Sequence, residues 1–562
     1  MFLSVLSLSL LGALQEPAPA TSAELIAQYR ADQGALDRLY SFPLSEKGLE
    51  RRAARLATWR EVLDAQPFED WGADARLDWL LLDNQLRRDR EAIRERALRE
   101  ADVRPLVPFV ALLVGLLEDR AARVLPDPKA TAAVLHAASE AMVAARTALE
   151  EGGAEVRPTT AARAADLLGA LRRSLGDWYR DHAGYEPLFG WWCEAPWEAL
   201  DRDLETYADF LRRDVGGWDP NDPDQLIGDP IGRQALLDSL AYERIAYSPE
   251  ELIAIAEREL AWCMTERQRA ATEMGLGKDW RAAQAVVKKV HAEPGGQAAM
   301  IRMLADEAVT FLEERELLTL PELAKEVWRM DMMSLQRQKF TPYFTGGEVI
   351  SIAYPTERME HADKLMSMRG NNLHYSRATV QHELIPGHHL QGYMARRWSP
   401  HRRTFSTPFY SEGWALYWEL RLWDLGFTQS PEDRIGMLFW RSHRCARIIF
   451  SLRFHLGDWT PQECIDFLVE NVGHERRNAT AEVRRSIQGG YSPLYQAAYM
   501  TGGLQLRELH RELVAEGDWS ERAFHDAILK AGPIPIEFLR ARMRGDELRR
   551  DMPVAWRFAE GD

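Results

Sequence analysis

His382-Glu383-Leu384-Ile385-Pro386-Gly387-His388-His389 gathers three of the chain's 14 histidines into eight residues, with a carboxylate beside the first. Imidazole is a good zinc ligand, and zinc hydrolases keep a general-base carboxylate next to a ligand. The common peptidase spacing puts two histidines at i and i+4 on one helix face. Here the i+4 position is Pro386. On an undistorted helix His388 points about 120° away from His382, and His389 lies about 10 Å along the axis. Pro386 has no N–H and clashes with the carbonyl of residue 382, while Gly387 allows unusual backbone angles. A two-residue bulge in the helix then brings His388 to the place of the i+4 histidine. His382 and His388 are the expected ligands. His389 is the alternative ligand, or else touches the ligands or the substrate.

Glu383 projects beside the same site. It could take a proton as water attacks a carbonyl and pass it to the leaving amine. Zinc lowers the pKa of bound water to about 7, so hydroxide is available near neutrality. A solvated polar helix is the bland alternative for this run.

A second cluster, Tyr410-Ser411-Glu412-Gly413-Trp414-Ala415-Leu416-Tyr417, follows 24 residues after His388 at Glu412. The distance is enough for another helix to fold back and offer a third ligand. Its aromatic neighbours predict burial, and a buried carboxylate needs a cation or a donor. Glu412 is the expected third ligand and Glu419, two turns on, its substitute. An ion pair with arginine is the other reading of Glu412.

Further along, Tyr491, Tyr495 and Tyr499 offer hydroxyls, and Tyr495 and Tyr499 share a helix face at i, i+4. Either could polarise a scissile carbonyl. Glu482 and Arg485 form an expected ion pair, and Arg484 or Arg485 could bind a substrate carboxylate. Glu348 is the corresponding candidate for a substrate amine. Core aromatics and surface charges are the ordinary alternatives for each.

The rest of the chain is mostly helical in pattern. Leu77, Leu80, Leu81 and Leu86 recur at helical steps, as do Leu252, Ile255, Leu260 and Cys263. The apolar run Pro105 to Leu117 is too short to span a membrane and predicts a buried helix. One segment differs: Tyr343 to Pro355 has Gly346-Gly347, then β-branched residues, then proline, which predicts a turn and a short strand. An edge strand there could bind substrate backbone, or be a structural hairpin. The expected fold is mostly α, a large multi-helix body with this short hairpin or edge strand near the site. One domain over 22–562 is expected, with a possible division into 22–340 and 341–562.

A formal net charge of -16 argues against a nucleic-acid partner, since no basic excess remains to neutralise phosphates. Phe2 to Leu14 is apolar and is followed by a Pro/Ala-rich stretch, so residues 1–20 read as a cleaved secretory signal. The expected location is periplasmic or secreted, without stable membrane insertion. No cysteine stands near the expected cleavage region. Cys193, Cys263, Cys445 and Cys464 show no CxxC spacing, which argues against a cysteine zinc site. Cys445 and Cys464 could pair in an exported protein; buried free thiols are the alternative.

The pattern His-Glu-x-x-Pro-Gly-His-His-Leu-Gln at 382–391 with Ser-Glu-Gly-Trp-Ala-Leu-Tyr at 411–417 resembles the bacterial family labelled domain of unknown function 885. Glu482-x-x-Arg485, Tyr499-x-x-Gly502 and Gly532-Pro533-Ile534-Pro535 extend the likeness over most of the chain. The resemblance implies a helical, gluzincin-like zinc metallopeptidase, distantly similar to the thimet oligopeptidase, angiotensin-converting enzyme and carboxypeptidase Taq group. It implies His382, His388 and Glu412 on zinc and Glu383 as base, with a central channel that admits short or unfolded peptides. Dipeptidyl peptidase III, whose motif is likewise lengthened, favours His388 over His389 by analogy. Where relatives tend to have Pro-Gly-Gln before the tyrosine step, this chain has Ser492-Pro493-Leu494-Tyr495-Gln496. The expected activity is hydrolysis of short peptides with Zn2+. A zinc hydrolase of another amide or ester, or a non-catalytic helical metal- or peptide-binding protein, are the alternatives.

Overall fold

The computed structural model describes residues 21–559 except 153–155, 220, 223–224, 339–342, 429 and 489. The expected signal segment, 1–20, lies outside the described residues.

Helices α1 (Ser22–Leu39), α2 (Glu46–Asp64) and α3 (Ala73–Val103) open the chain. Then come α4 (Val110–Ala121), α5 (Pro128–Glu150), α6 (Pro158–Ala183) and α7 (Pro187–Phe210). The middle holds α8 (Arg233–Tyr242), α9 (Pro249–Glu273), α10 (Trp280–Val287), α11 (Gln297–Glu314) and α12 (Glu322–Glu326). Strand β1 (Arg329–Met332), α13 (Leu335–Gln338) and strand β2 (Val349–Ile352) follow. The site-bearing part comprises α14 (His361–Gly370), α15 (Leu373–Glu383), α16 (His388–Trp398), α17 (Pro408–Asp424) and α18 (Pro431–Leu456). The chain ends with α19 (Pro461–Val472), α20 (Arg476–Ile487), α21 (Tyr495–His510), α22 (Glu521–Ala531) and α23 (Ile536–Arg544).

Several of these helices start with one local device. Ser248-Pro249, Thr407-Pro408, Ser430-Pro431 and Thr460-Pro461 each set a hydroxyl cap before a proline at the first turn, and each hydroxyl accepts a backbone N–H. The cap satisfies an orphan donor, and proline's fixed φ suits a position whose N–H has no helical partner. The run from Pro105 forms α4 as expected, with Val110, Leu113, Val114 and Leu117 buried.

One core cluster draws on α1–α3, on α8, α9 and α11, and on α16–α18 and α21–α23. It joins residues on both sides of position 340, so the core has no break there. Arg402 reinforces the join, its Nε donating to Asp78 Oδ1 over 2.7 Å with both side chains buried. Helices α4–α7 bury a second cluster of their own.

The segment after residue 343 forms the expected turn and strand, with one addition. β2 pairs in parallel with β1, Arg329 opposite Val349. Thr345 bridges antiparallel to Ser351, closing the small hairpin around Gly346-Gly347. Gly347 takes φ of 119°, a region open to glycine and strained for other residues.

All four cysteines are free and buried. Of the two readings left open for Cys445 and Cys464, the structure has the buried free thiols. Cys464 on α19 turns its Sγ to the Phe450 carbonyl at 3.6 Å, while Cys445 meets Cys263 of α9. Among the described residues, no helix is long and apolar enough to cross a membrane.

Candidate metal centre

α15 carries His382 and Glu383 in its last turn and then stops. The Ile385–Pro386 peptide is cis, and α16 begins afresh at His388. The expected bulge within one helix is thus a break between two, because Pro386 cannot continue the ladder. Gly387 N–H donates to the Gln381 carbonyl at 3.0 Å, and a Cβ at 387 would overlap the His382 carbonyl. Only glycine fits this crossing. The break still returns His388 to His382, with ring centres 4.9 Å apart and planes at 89°.

Glu412 of α17 completes the group. Its Oε2 lies 3.2 Å from His388 Nε2 and 3.7 Å from His382 Nε2. Tetrahedral zinc with bonds of about 2.0–2.1 Å holds neighbouring donors about 3.3 Å apart. Among the described residues, these three form a group whose donor atoms all lie within 4.8 Å of one another. Two imidazoles and one carboxylate, thus spaced, fit a zinc ion.

Glu419 is not a fourth member of that group. Its Oε1 sits 2.7 Å from His382 Nδ1, which leaves Nε2 facing Glu412. A carboxylate on the far nitrogen fixes the tautomer and orientation of a ligating histidine. Burial disfavours charge on His382, yet Glu412 and Glu419 outweigh it and raise its pKa to about 9. Burial likewise opposes ionisation of Glu412, but His388 and His382 hold it well below the usual carboxylate range. For Glu383, burial dominates and raises the pKa against the pull of the two histidines. Glu412 and Glu383 beside the two imidazoles make an anionic cup that favours a dication, with Glu419 behind His382.

The second sequence motif clamps the first. Trp414 Nε1 donates to the Pro386 carbonyl at 2.8 Å, holding the break between α15 and α16. Gly413 of α17 lies against Gly502 of α21: a Cβ at 413 would come within 2.6 Å of the Gly502 backbone, and one at 502 would strike the Phe409 carbonyl. This close approach brings the tyrosines of α21 to Glu412. Tyr495 donates a hydrogen bond to Glu412 Oε1. The Tyr499 ring stacks on His382, centres 6.3 Å apart and planes at 15°. Burial and Glu412 push the Tyr499 hydroxyl up to about 12, so it stays a proton donor.

A cavity of about 340 Å³ opens onto these residues. Gly346 forms part of its wall against Glu383: a Cβ there would strike the Glu383 carboxylate, and Gly347 N–H donates to the Glu383 carbonyl at 3.3 Å. The turn at 343–346, and not β2 itself, lines the cavity. Tyr491 also lines a larger cleft of about 900 Å³.

Arg444 and Arg447 of α18 and Arg485 of α20 also line the cavity. Arg447 Nε donates to Glu482 Oε1 at 2.7 Å, and Arg485 Nη1 is 3.7 Å from Glu482. Burial opposes ionisation of Glu482, but Arg447 and Arg485 overcome it and hold its pKa at about 2. The expected pair of Glu482 and Arg485 is therefore present, with Arg447 as the nearer partner. Sequence reading missed Arg444 and Arg447. Their signal was Arg441, Arg444 and Arg447 at three-residue steps within the largely apolar run from Met437 to Phe450.

Three candidates fall elsewhere. His389 points away from the cluster, its Nε2 at 2.7 Å from the Ala324 carbonyl of α12, so it is neither ligand nor cavity wall. Glu348 pairs with Arg329 at 3.2 Å and with Arg396 at 3.6 Å, outside the cavity lining. Arg484 is likewise absent from that lining, which leaves Arg485 of the two.

No curated protein matches the chain. Two solved structures are similar in fold. One, from Shewanella oneidensis, described as a "putative lipoprotein of unknown function", has 15% identity and a TM-score of 0.70, and the match covers 94% of this chain and 100% of that one. The other, a "putative lipoprotein" from Colwellia psychrerythraea, has 15% identity and a TM-score of 0.58, covering 93% and 98%. The family described as "Bacterial protein of unknown function (DUF885)" matches residues 20–543. By that match the chain belongs to the bacterial DUF885 family.

Proposed function

We propose that the protein is a zinc-dependent peptidase that hydrolyses short peptides. The observation that carries this reading is the spacing of His382, His388 and Glu412, at 3.2 Å and 3.7 Å between donors, with Glu383 directly beside them in a cavity. A bound zinc ion would supply Lewis acidity and bring the pKa of a water to about 7. Glu383, its pKa raised by burial, takes the proton of the attacking water and returns it to the departing amine. Tyr499 or Tyr495 donates to the developing oxyanion. Glu419 holds His382 in the tautomer that presents Nε2.

A cavity of about 340 Å³ suits a few residues of extended peptide better than the surface of a folded protein. The apolar segment at 2–14 and the description of both similar structures as lipoproteins support an extracytoplasmic location.

The test is a peptide library given to zinc-loaded protein and to Glu383→Gln, alongside esters and acylated amino acids. Cleavage of peptides by the first and none by the second, with zinc retained in both, supports the peptidase. Turnover of esters alone moves the reading to another zinc hydrolase. Equal behaviour of the two proteins removes the enzyme.

A further inference from the structure

The cavity has a cationic wall as well as an anionic cup. Three arginines, Arg444, Arg447 and Arg485, line it. They share two carboxylates. Glu482 serves Arg447 and Arg485, and Glu419 serves Arg444 at 3.4 Å while also holding His382. Three guanidinium groups thus meet two carboxylates along this wall, while Glu383 and Glu412 line the cavity beside the histidines. Arg444 and Arg447 keep side-chain exposures of 6% and 3%, too little for water to satisfy them. Among the described residues, Arg447 Nη1, Arg444 Nε and Arg485 Nε have no hydrogen-bond partner. Charge on guanidinium groups this buried is costly, and an anion held in the cavity that they line would offset it.

The shape of the anion follows from the donors. Guanidinium presents a planar fork that matches a carboxylate in bidentate fashion. The position follows from Tyr499. Its ring centre is 4.6 Å from the Arg447 guanidinium, 4.7 Å from that of Arg444 and 6.3 Å from the His382 ring. Arg444 and Arg447 therefore lie within about 11 Å of the His382 ring. Coordination at one end and the ion pair at the other take up about 3 Å each, and a residue of extended chain spans about 3.3–3.6 Å, so one or two residues fit between a carbonyl at the metal centre and a carboxylate at Arg444 and Arg447.

We propose that Arg444, Arg447 and Arg485 bind the C-terminal carboxylate of a peptide substrate, which makes the protein a carboxypeptidase that releases one or two residues from the free C-terminus. The proposal rests on the peptidase reading above and names its substrate class. Water adds across the amide one or two residues from the end, and the new amine leaves with the fragment held by the arginines. The anionic α-carboxylate distinguishes this end from the N-terminal ammonium, which the same wall repels.

The experiment pairs each peptide of four to eight residues with its C-terminal amide, given to the zinc-loaded full chain. Hydrogen bonds to a charged group support a loss of about 10- to 100-fold in kcat/KM for the amide. Products from the free acid are single amino acids or dipeptides from the C-terminal end, read by mass spectrometry, and N-terminal acetylation leaves the rates unchanged. Arg447→Ala risks unfolding because Glu482 would lose its partner, so Arg485→Gln and Arg447→Lys serve instead. Both lower the acid-to-amide ratio toward one. Equal rates for acid and amide overturn the carboxylate proposal and leave the peptidase standing. If neither peptide is cleaved, calorimetry of the same pair with Glu383→Gln decides. A tenfold preference for the acid keeps the carboxylate site while the peptidase reading falls, and no preference overturns the site as well.

Discussion

Glu419 Oε1 lies 2.7 Å from His382 Nδ1, on the far side of the imidazole from Glu412. The pair is buried, with side-chain exposures of 4% and 1%, so no water can replace the carboxylate. Partners of this kind orient a metal-ligating histidine, and their loss costs about 10- to 100-fold in metal affinity. Glu419→Gln is expected to lower zinc affinity by that factor, measured by competition with a chelator of known strength. Activity returns when zinc is supplied in excess. An unchanged affinity would make Glu419 a partner of Arg444 alone.

The three histidines of the motif should separate cleanly. His382→Ala and His388→Ala each lose the bound zinc, and His389→Ala keeps one zinc per chain, read by elemental mass spectrometry of the purified proteins. His389→Ala instead leaves the Ala324 carbonyl without its donor. That change costs about 1–3 kcal/mol of stability. A His389→Ala protein without zinc, folded by circular dichroism, would reverse the assignment.

The approach of α17 to α21 depends on two glycines. Gly502→Ala forces its Cβ against the Phe409 carbonyl, with no flexible side chain able to yield. Overpacking of this kind costs about 1–3 kcal/mol. Because α21 carries Tyr495 and Tyr499, the variant is expected to lower kcat more than it raises KM, alongside a lower urea midpoint. Gly34→Ala, which meets only the far end of the Arg38 side chain, is the control.

The cluster of His382, His388 and Glu412, with Glu383 beside it, could be read from sequence because it is chemically dense: these residues sit in two short motifs with few alternative uses. The route by which His388 reaches the site was harder to read. Pro386 forbids an undisturbed helix, but a bulge and a full break satisfy that constraint equally until Gly387 packs on the His382 carbonyl. Glu419 was visible as a buried carboxylate, yet only the fold separates a ligand from the partner of a ligand. Strand β1 gave no pattern: Arg329-Met330-Asp331-Met332 has no β-branched residue, and it is a strand because β2 pairs with it. Arg444 and Arg447 depend on which face of α18 meets the cavity, which a wholly buried helix does not reveal by periodicity.

Acid should weaken the fold through buried histidines other than His382 and His388. Burial is the largest influence on His474, His455 and His525 and lowers their pKa values to about 3, 4 and 4. Their ordinary value is 6.5. Below pH 6.5 the unfolded chain takes up these protons while the folded chain does not. Protonation therefore favours unfolding, and stability falls as pH drops from 6.5 toward 4, and toward 3 for His474. Each histidine contributes at most about 1.4 kcal/mol per pH unit in that window. Glu482 and Glu521, both held at about 2 by their cationic neighbours against burial, add a loss in the same direction below 4.5. The urea midpoint is expected to fall steadily between pH 7 and pH 5, before those carboxylates contribute. His455→Gln should flatten the slope by one proton's worth, since burial rather than an ion partner sets its shift. A midpoint constant from pH 7 to pH 5 would mean that these histidines take up protons in the folded state.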